Sequence, residues 1–170
     1  MKRDEIQHVI TGQQITYEGL FSMRELFKFI DSFLRRKGYV KFVAADSEKV
    51  HSSSKNVNIK LRPFKEEKGG ARREIQITIK IEDLIDVFKD VDGVKINMNK
   101  GKVSIVLDAF FIYNQRGKWE SRAEYMLIRT IFDKFLFKAA AKDYEGMVKA
   151  DALELKNELH SFLNLNKFLY

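Results

Sequence analysis

Between Lys55 and Lys80 the chain carries Lys55, Lys60, Arg62, Lys65, Lys68, Arg72, Arg73 and Lys80 against Glu66, Glu67 and Glu74, a local excess of +5 within a total of +7. Phe64 sits among them. Cations interleaved with an aromatic ring can hold a phosphate backbone and stack a base, so Lys60, Arg62, Phe64, Arg72 and Arg73 are candidate nucleic-acid contacts. The same residues have a plainer and weightier use, because lysines along an edge strand discourage pairing with another edge. No RNP or KH signature accompanies them.

A second group could line a cavity for a hydrophobic ligand: Asp108, Phe110, Ile112, Trp119 and Phe135. Asp108 lies within a run of apolar residues, and a carboxylate there needs a partner if buried. An Arg or Lys across the sheet is the expected partner; a ligand is the alternative. Trp119, the lone tryptophan, is expected to plug a strand–helix corner rather than to stack on a ligand.

Other chemistries find little support. There are no cysteines, which removes thiolate catalysis, disulfides and Cys-ligated zinc and fits a reducing cytoplasm. His8, His51 and His160 are far apart, without metal-ligand spacing. No glycine-rich loop opens a helix after a strand, and no nucleophile elbow is present. The carboxylate pairs Asp46/Glu48 and Asp90/Asp92 read as turn residues bonding local backbone. No catalytic residue, metal site or cofactor is therefore expected, and an enzyme is the least supported reading.

The elements that would position these groups follow from periodicity. In Val103–Tyr113 the odd positions Val103, Ile105, Leu107, Ala109, Phe111 and Tyr113 share one face, and the other face is partly apolar too, as in a central strand. The turn 114–118 leads to a helical pattern in Tyr125, Ile128, Ile131, Phe132, Phe135 and Leu136. Earlier, Ile10–Tyr17 reads as a short strand ended by Gly19. Leu20, Met23, Leu26, Phe27, Ile30, Phe33 and Leu34 mark a helix capped by Ser22 and stopped by Gly38. Tyr39–Ala45 reads as a strand and Asp46–Asn56 as a loop. Residues 57–61 and 72–81 alternate as strands, and Pro63 ends the former. Residues 82–91 fit a bulged continuation better than a helix, because Asp92-Gly93 suggests a hairpin. Asn99-Lys100-Gly101 reads as a turn. The C-terminal third is helical in character, with a break or kink expected at Gly146.

The expected fold is α+β: one antiparallel sheet of five or six strands in a meander, packed against an N-terminal helix and long C-terminal helices. The whole of 1–170 forms one domain, with 143–170 a helical docking appendage. No apolar run is long enough for a membrane span, and MKRDEIQHVI does not read as a signal peptide. The cysteine-free, Lys/Glu/Ile/Phe-rich composition is one associated with archaeal or thermophilic proteins.

The order of Ile10–Tyr17, Ser22–Lys37, Tyr39–Tyr113 and Arg122 onward resembles the helix-grip, or START-like, fold. That resemblance implies a curved sheet wrapped around a C-terminal helix, often with an apolar cavity. Function is then expected to be binding or assembly without catalysis, docking a protein partner or a second copy through the C-terminal helix and the apolar tail LNLNKFLY. A hydrophobic-ligand carrier and an RNA- or DNA-binding module built on 55–80 are the alternatives.

Overall fold

The structure, a computed structural model, describes residues 5–51, 53–113 and 138–169. Its elements are β1 (Glu5–Phe21), α1 (Met23–Lys37), β2 (Val43–Val50), β3 (Lys55–Leu61), β4 (Phe64–Glu66), a short 3-10 turn (Lys68–Gly70), β5 (Ala71–Val91), β6 (Val94–Tyr113) and α2 (Lys138–Leu169). The strands form one six-stranded antiparallel sheet in the order β1-β6-β5-β3-β2, with β4 also on β5. This is the expected α+β class. The expected run of C-terminal helices is corrected to one helix among the described residues. That helix continues through Gly146, where an added Cβ would meet nothing within 4 Å. Flanking residues of high helix propensity carry the single glycine, whose cost is about 1 kcal/mol.

One face of the sheet is consumed by the core. Ile75, Ile77, Ile79 and Ile81 of β5 and Val103, Ile105, Leu107 and Ala109 of β6 are fully buried. Against them lie Val148, Ala152, Leu155, Leu159 and Leu163 of α2 and Leu26, Ile30, Phe33 and Leu34 of α1, in one continuous cluster. Each Val, Leu, Ile or Phe among them contributes about 1.5–3 kcal/mol by leaving water. The period of two in the strands and of three to four in the helices is thus satisfied on a single surface.

Local chemistry sets the ends of α1. The Ser22 hydroxyl accepts from the Glu25 N–H at 3.2 Å. Gly38 turns left-handed at φ 76°, its N–H bonded to the Arg35 carbonyl, while Tyr39 N–H reaches back to Leu34 at 2.8 Å. These two bonds are the Schellman closure that glycine permits without strain.

β3 and β4 are one strand interrupted at Arg62-Pro63. The Ile75 N–H donates to the Pro63 carbonyl, and proline has no N–H to return the bond.

Four sequence expectations need correcting. The strand expected over Tyr39–Ala45 begins only at Val43, and the expected 46–56 loop shrinks to the turn between strands: β2 runs to Val50 and from Asp46 pairs residue by residue with β3, which starts at Lys55. Ladder hydrogen bonds outweigh the weak local propensity of Ala-Asp-Ser there. Gly19 does not end β1, which continues to Phe21. Nor is 99–101 a turn, for β6 runs straight through it. Gly101 is instead a close-approach residue, where an added Cβ would lie 2.9 Å from the Glu82 carbonyl. That approach accompanies a bulge in β5 between Glu82 and Ile85, at which Asp83 takes φ 52°.

Beyond Asp86 and Asn99, where β1 ends, β5 and β6 pair only with each other among the described residues, and close through Asp92-Gly93. This two-stranded ribbon is roughly 15 Å long at the usual rise per residue. Its root is tied to α1: the Asn99 carboxamide accepts from Met23 N–H at 2.9 Å and donates to Asp86 at 2.8 Å.

Two glycine substitutions should move stability in opposite directions. Gly101→Ala collides with backbone and is expected to cost about 1–3 kcal/mol. Gly146→Ala has open space in a helix and is expected to gain about 0.5–1 kcal/mol. Urea denaturation followed by circular dichroism measures both.

Candidate binding surface

Strand alternation sorts the candidate residues by face. Arg73 points towards the helices and is buried. Its Nε donates to Glu67 at 2.8 Å and its Nη1 to Asp151 of α2 at 3.0 Å. Asp151 also accepts from the Tyr39 hydroxyl at 3.0 Å and lies 3.4 Å from Lys37 Nζ. Burial holds the Tyr39 hydroxyl well above the ordinary phenol range, so it remains a donor. Lys37 reaches Glu154 at 2.6 Å, and Arg36 reaches Glu158 at 2.6 Å. The hydrogen bond it donates to Glu154 raises the Lys37 ammonium pKa. The basic end of α1 therefore clamps α2, and Arg73 belongs to that clamp rather than to a nucleic-acid contact.

The remaining members of both candidate groups that are described lie on the opposite face, which neither described helix covers and which is in that sense helix-free. Phe111 stacks on Tyr144 of α2 with ring centroids 6.1 Å apart, so its neighbours Phe110 and Ile112 turn away from the helix. These two and Asp108 do not line the space between sheet and α2. Asp108 accepts from Gly12 N–H at 2.8 Å and from Gln76 Nε2 at 3.2 Å. Its partners are an amide side chain and a backbone N–H at the β1 irregularity, not the expected Arg or Lys. Gly12, at φ 66°, supplies the turn that aims that N–H. Trp119 and Phe135 lie outside the described residues, as do the 114–118 turn and the helical pattern from Arg122.

The helix-free face is built in rows across neighbouring strands. One row runs His8, Phe110, Glu74, Phe64, Val40. His8 meets Phe110 edge-on at 5.0 Å, and the Arg72 guanidinium lies 4.4 Å over the Phe64 ring. A row two residues further on holds Asp108, Gln76 and Arg62, with Arg62 Nε donating to Glu74 at 2.6 Å. Beyond it come Gln14, Val106, Thr78 and Lys60, then Thr16, Ser104, Lys80 and Asn58.

The basic excess counted along 55–80 is largely spent internally. Lys55 lies 3.4 Å from Glu48, Arg72 pairs with Glu66 at 2.7 Å, Arg62 with Glu74, Arg73 with Glu67, and Lys65 donates to the Lys37 carbonyl. Lys60, Lys68 and Lys80 make no ion pair among the described residues. The Arg72–Glu66 pair is exposed on both sides, at 40% and 58%. Such a pair is worth little and is readily replaced by another anion.

Sequence reasoning missed the clamp. Its partners, Arg73 and Asp151, are 78 residues apart, and only the packing of α2 brings them together. Among the described residues no group of His, Asp or Glu is arranged to hold a metal ion, and no helix is long and apolar enough to cross a membrane. No protein-family model matches the chain. No curated protein matches it.

The two arginines at 72 and 73 should behave very differently. Arg73→Ala strands the largely buried carboxylates of Glu67 and Asp151 and is expected to lower stability by about 3 kcal/mol, as is loss of the charge at Asp151. Arg72→Ala breaks an exposed pair and should cost about 1 kcal/mol or less. Chemical denaturation of the two variants side by side checks this.

Proposed function

We propose that the protein is a binding module without catalytic chemistry, whose contact surface is the helix-free face of the sheet. The carrying observation is the division of labour between faces. The described apolar core lies on the helix side, while rings, guanidinium groups and ammonium groups gather on the other side, where of the cations only Arg62 answers a buried carboxylate. Arg62 is 42% exposed, Arg72 is 40% exposed, and His8 and Lys80 are exposed. Exposed residues of this kind, held on a rigid sheet, are what a macromolecular contact uses.

Docking through α2 is a narrower version of the same reading. The apolar stripe of α2 is already spent on its own sheet, and Met147, Leu153 and Leu165 are its exposed apolar residues among those whose side chains are described. A partner docking on the described part of that helix would use these. The helix-free face offers more varied chemistry.

A hydrophobic-ligand carrier is the second reading. In its favour, β1 lies beside the last strand and the C-terminal helix crosses β1, β6 and β5, as the helix-grip resemblance implies. Against it, Ile75–Ile81 and Val103–Ala109 on the helix side, with Leu155 and Leu159, show 0% exposure. A void wide enough for water would leave accessible surface on its lining.

Site-specific photo-crosslinking tests the first reading. A benzophenone side chain at position 80 should give discrete heavier adducts in cells producing the protein, and one at position 149, on the outer side of α2, should not. Equal adducts at both positions, or none at position 80, would overturn it. A naphthalene-sulfonate or fatty-acid probe tests the carrier. Saturable binding at about one probe per chain supports that reading, and its absence at about 100 µM removes it.

A further inference from the structure

We infer that the partner of the helix-free face is single-stranded nucleic acid, an inference that rests on the binding reading above. The geometry needed is a flat platform for bases beside a line of cations for phosphates. Both are present in adjoining rows.

The platform is the row that holds His8, Phe110 and Phe64, on three strands of one face. Arg72 lies over Phe64 and presents a planar guanidinium on which a base can stack. The cations are Lys60 and Lys80, which make no ion pair among the described residues; Arg62, paired to Glu74 but 42% exposed, lies between them and the platform. From Phe64 to Lys60 is four residues of extended chain, about 13 Å, which suits two nucleotides of an extended strand.

The charges in between are already answered. Glu74 is buried beneath Arg62, and Asp108 is held by Gln76 and Gly12. Neither is left to repel a phosphate at full strength. Glu66 is exposed and can yield Arg72 to a phosphate. Gln14, Thr78, Ser104 and Asn58 supply donors and acceptors around Lys60 and Lys80. A duplex would not fit this platform, because its bases are paired and stacked on one another.

Fluorescence anisotropy with a labelled oligouridylate of about 12 nucleotides, and with its oligothymidylate counterpart, tests the inference on the full chain. Binding should be saturable. If three to four phosphates are engaged, a fourfold rise in salt should weaken it roughly 20- to 50-fold. Lys60→Glu with Lys80→Glu, two surface changes away from the core, should weaken binding at least about tenfold. Phe64→Ala with Phe110→Ala should do the same through lost stacking, at about tenfold or more. Arg24→Glu with Arg35→Glu, exposed on α1, should leave it unchanged.

Absence of binding at low salt would overturn the inference. So would equal affinity for duplex, or equal weakening by the α1 variant, because either means diffuse charge attraction only. A protein adduct at position 80 combined with no oligonucleotide binding would also overturn it, while leaving the binding function standing.

Discussion

The pairing of β5 with β6 is the constraint on which the rest of the molecule hangs. It runs from Ala71–Tyr113 at one end to Val91–Val94 at the tip. One register places four isoleucines of β5 beside Val103, Ile105, Leu107 and Ala109, and so makes the surface that both helices cover. A slip by one residue would turn those side chains to water and bring Gln76, Thr78 and Lys80 inward. The bulge after Glu82 and the close approach of Gly101 come just before the wide sheet narrows to the ribbon at the end of β1, opposite Asn99.

Strong local patterns were readable in the residues. The alternation in 72–81 and 103–113, the caps of α1 and the Asp92-Gly93 turn each rest on neighbouring side chains or on a backbone conformation one residue type favours. Legibility stopped where the decisive partner is distant in sequence. Asp46 and Ser47 have no strand signature of their own and are extended because β3 lies beside them. Gly101 reads as a turn residue in isolation, yet it is a strand position crowded by the β5 backbone.

The surface was legible as composition but not as arrangement. Counting charges between Lys55 and Lys80 gives a basic hairpin. The fold reduces that count, because each of Arg62, Arg72 and Arg73 meets a glutamate from its own hairpin. Adjacent residues part company as well: Arg72 faces the open side and Arg73 the helices. The alternation of a strand predicts such a split, but only the position of α2 says which side is the interior. The same alternation gathers Lys60, Arg62, Phe64 and Arg72 with Asp108, Phe110 and Ile112 on one surface, although they read as two unrelated groups along the chain.

The Asn99 carboxamide has a mechanical consequence. One oxygen and one nitrogen on a single short side chain join the root of the ribbon to the first turn of α1. A lateral load on the hairpin tip is carried down two paired strands to that joint. The basic end of α1 grips α2 through Arg36 and Lys37. The hairpin is therefore an arm rooted both in the end of β1 and, through one asparagine, in a helix bolted to the C-terminal helix.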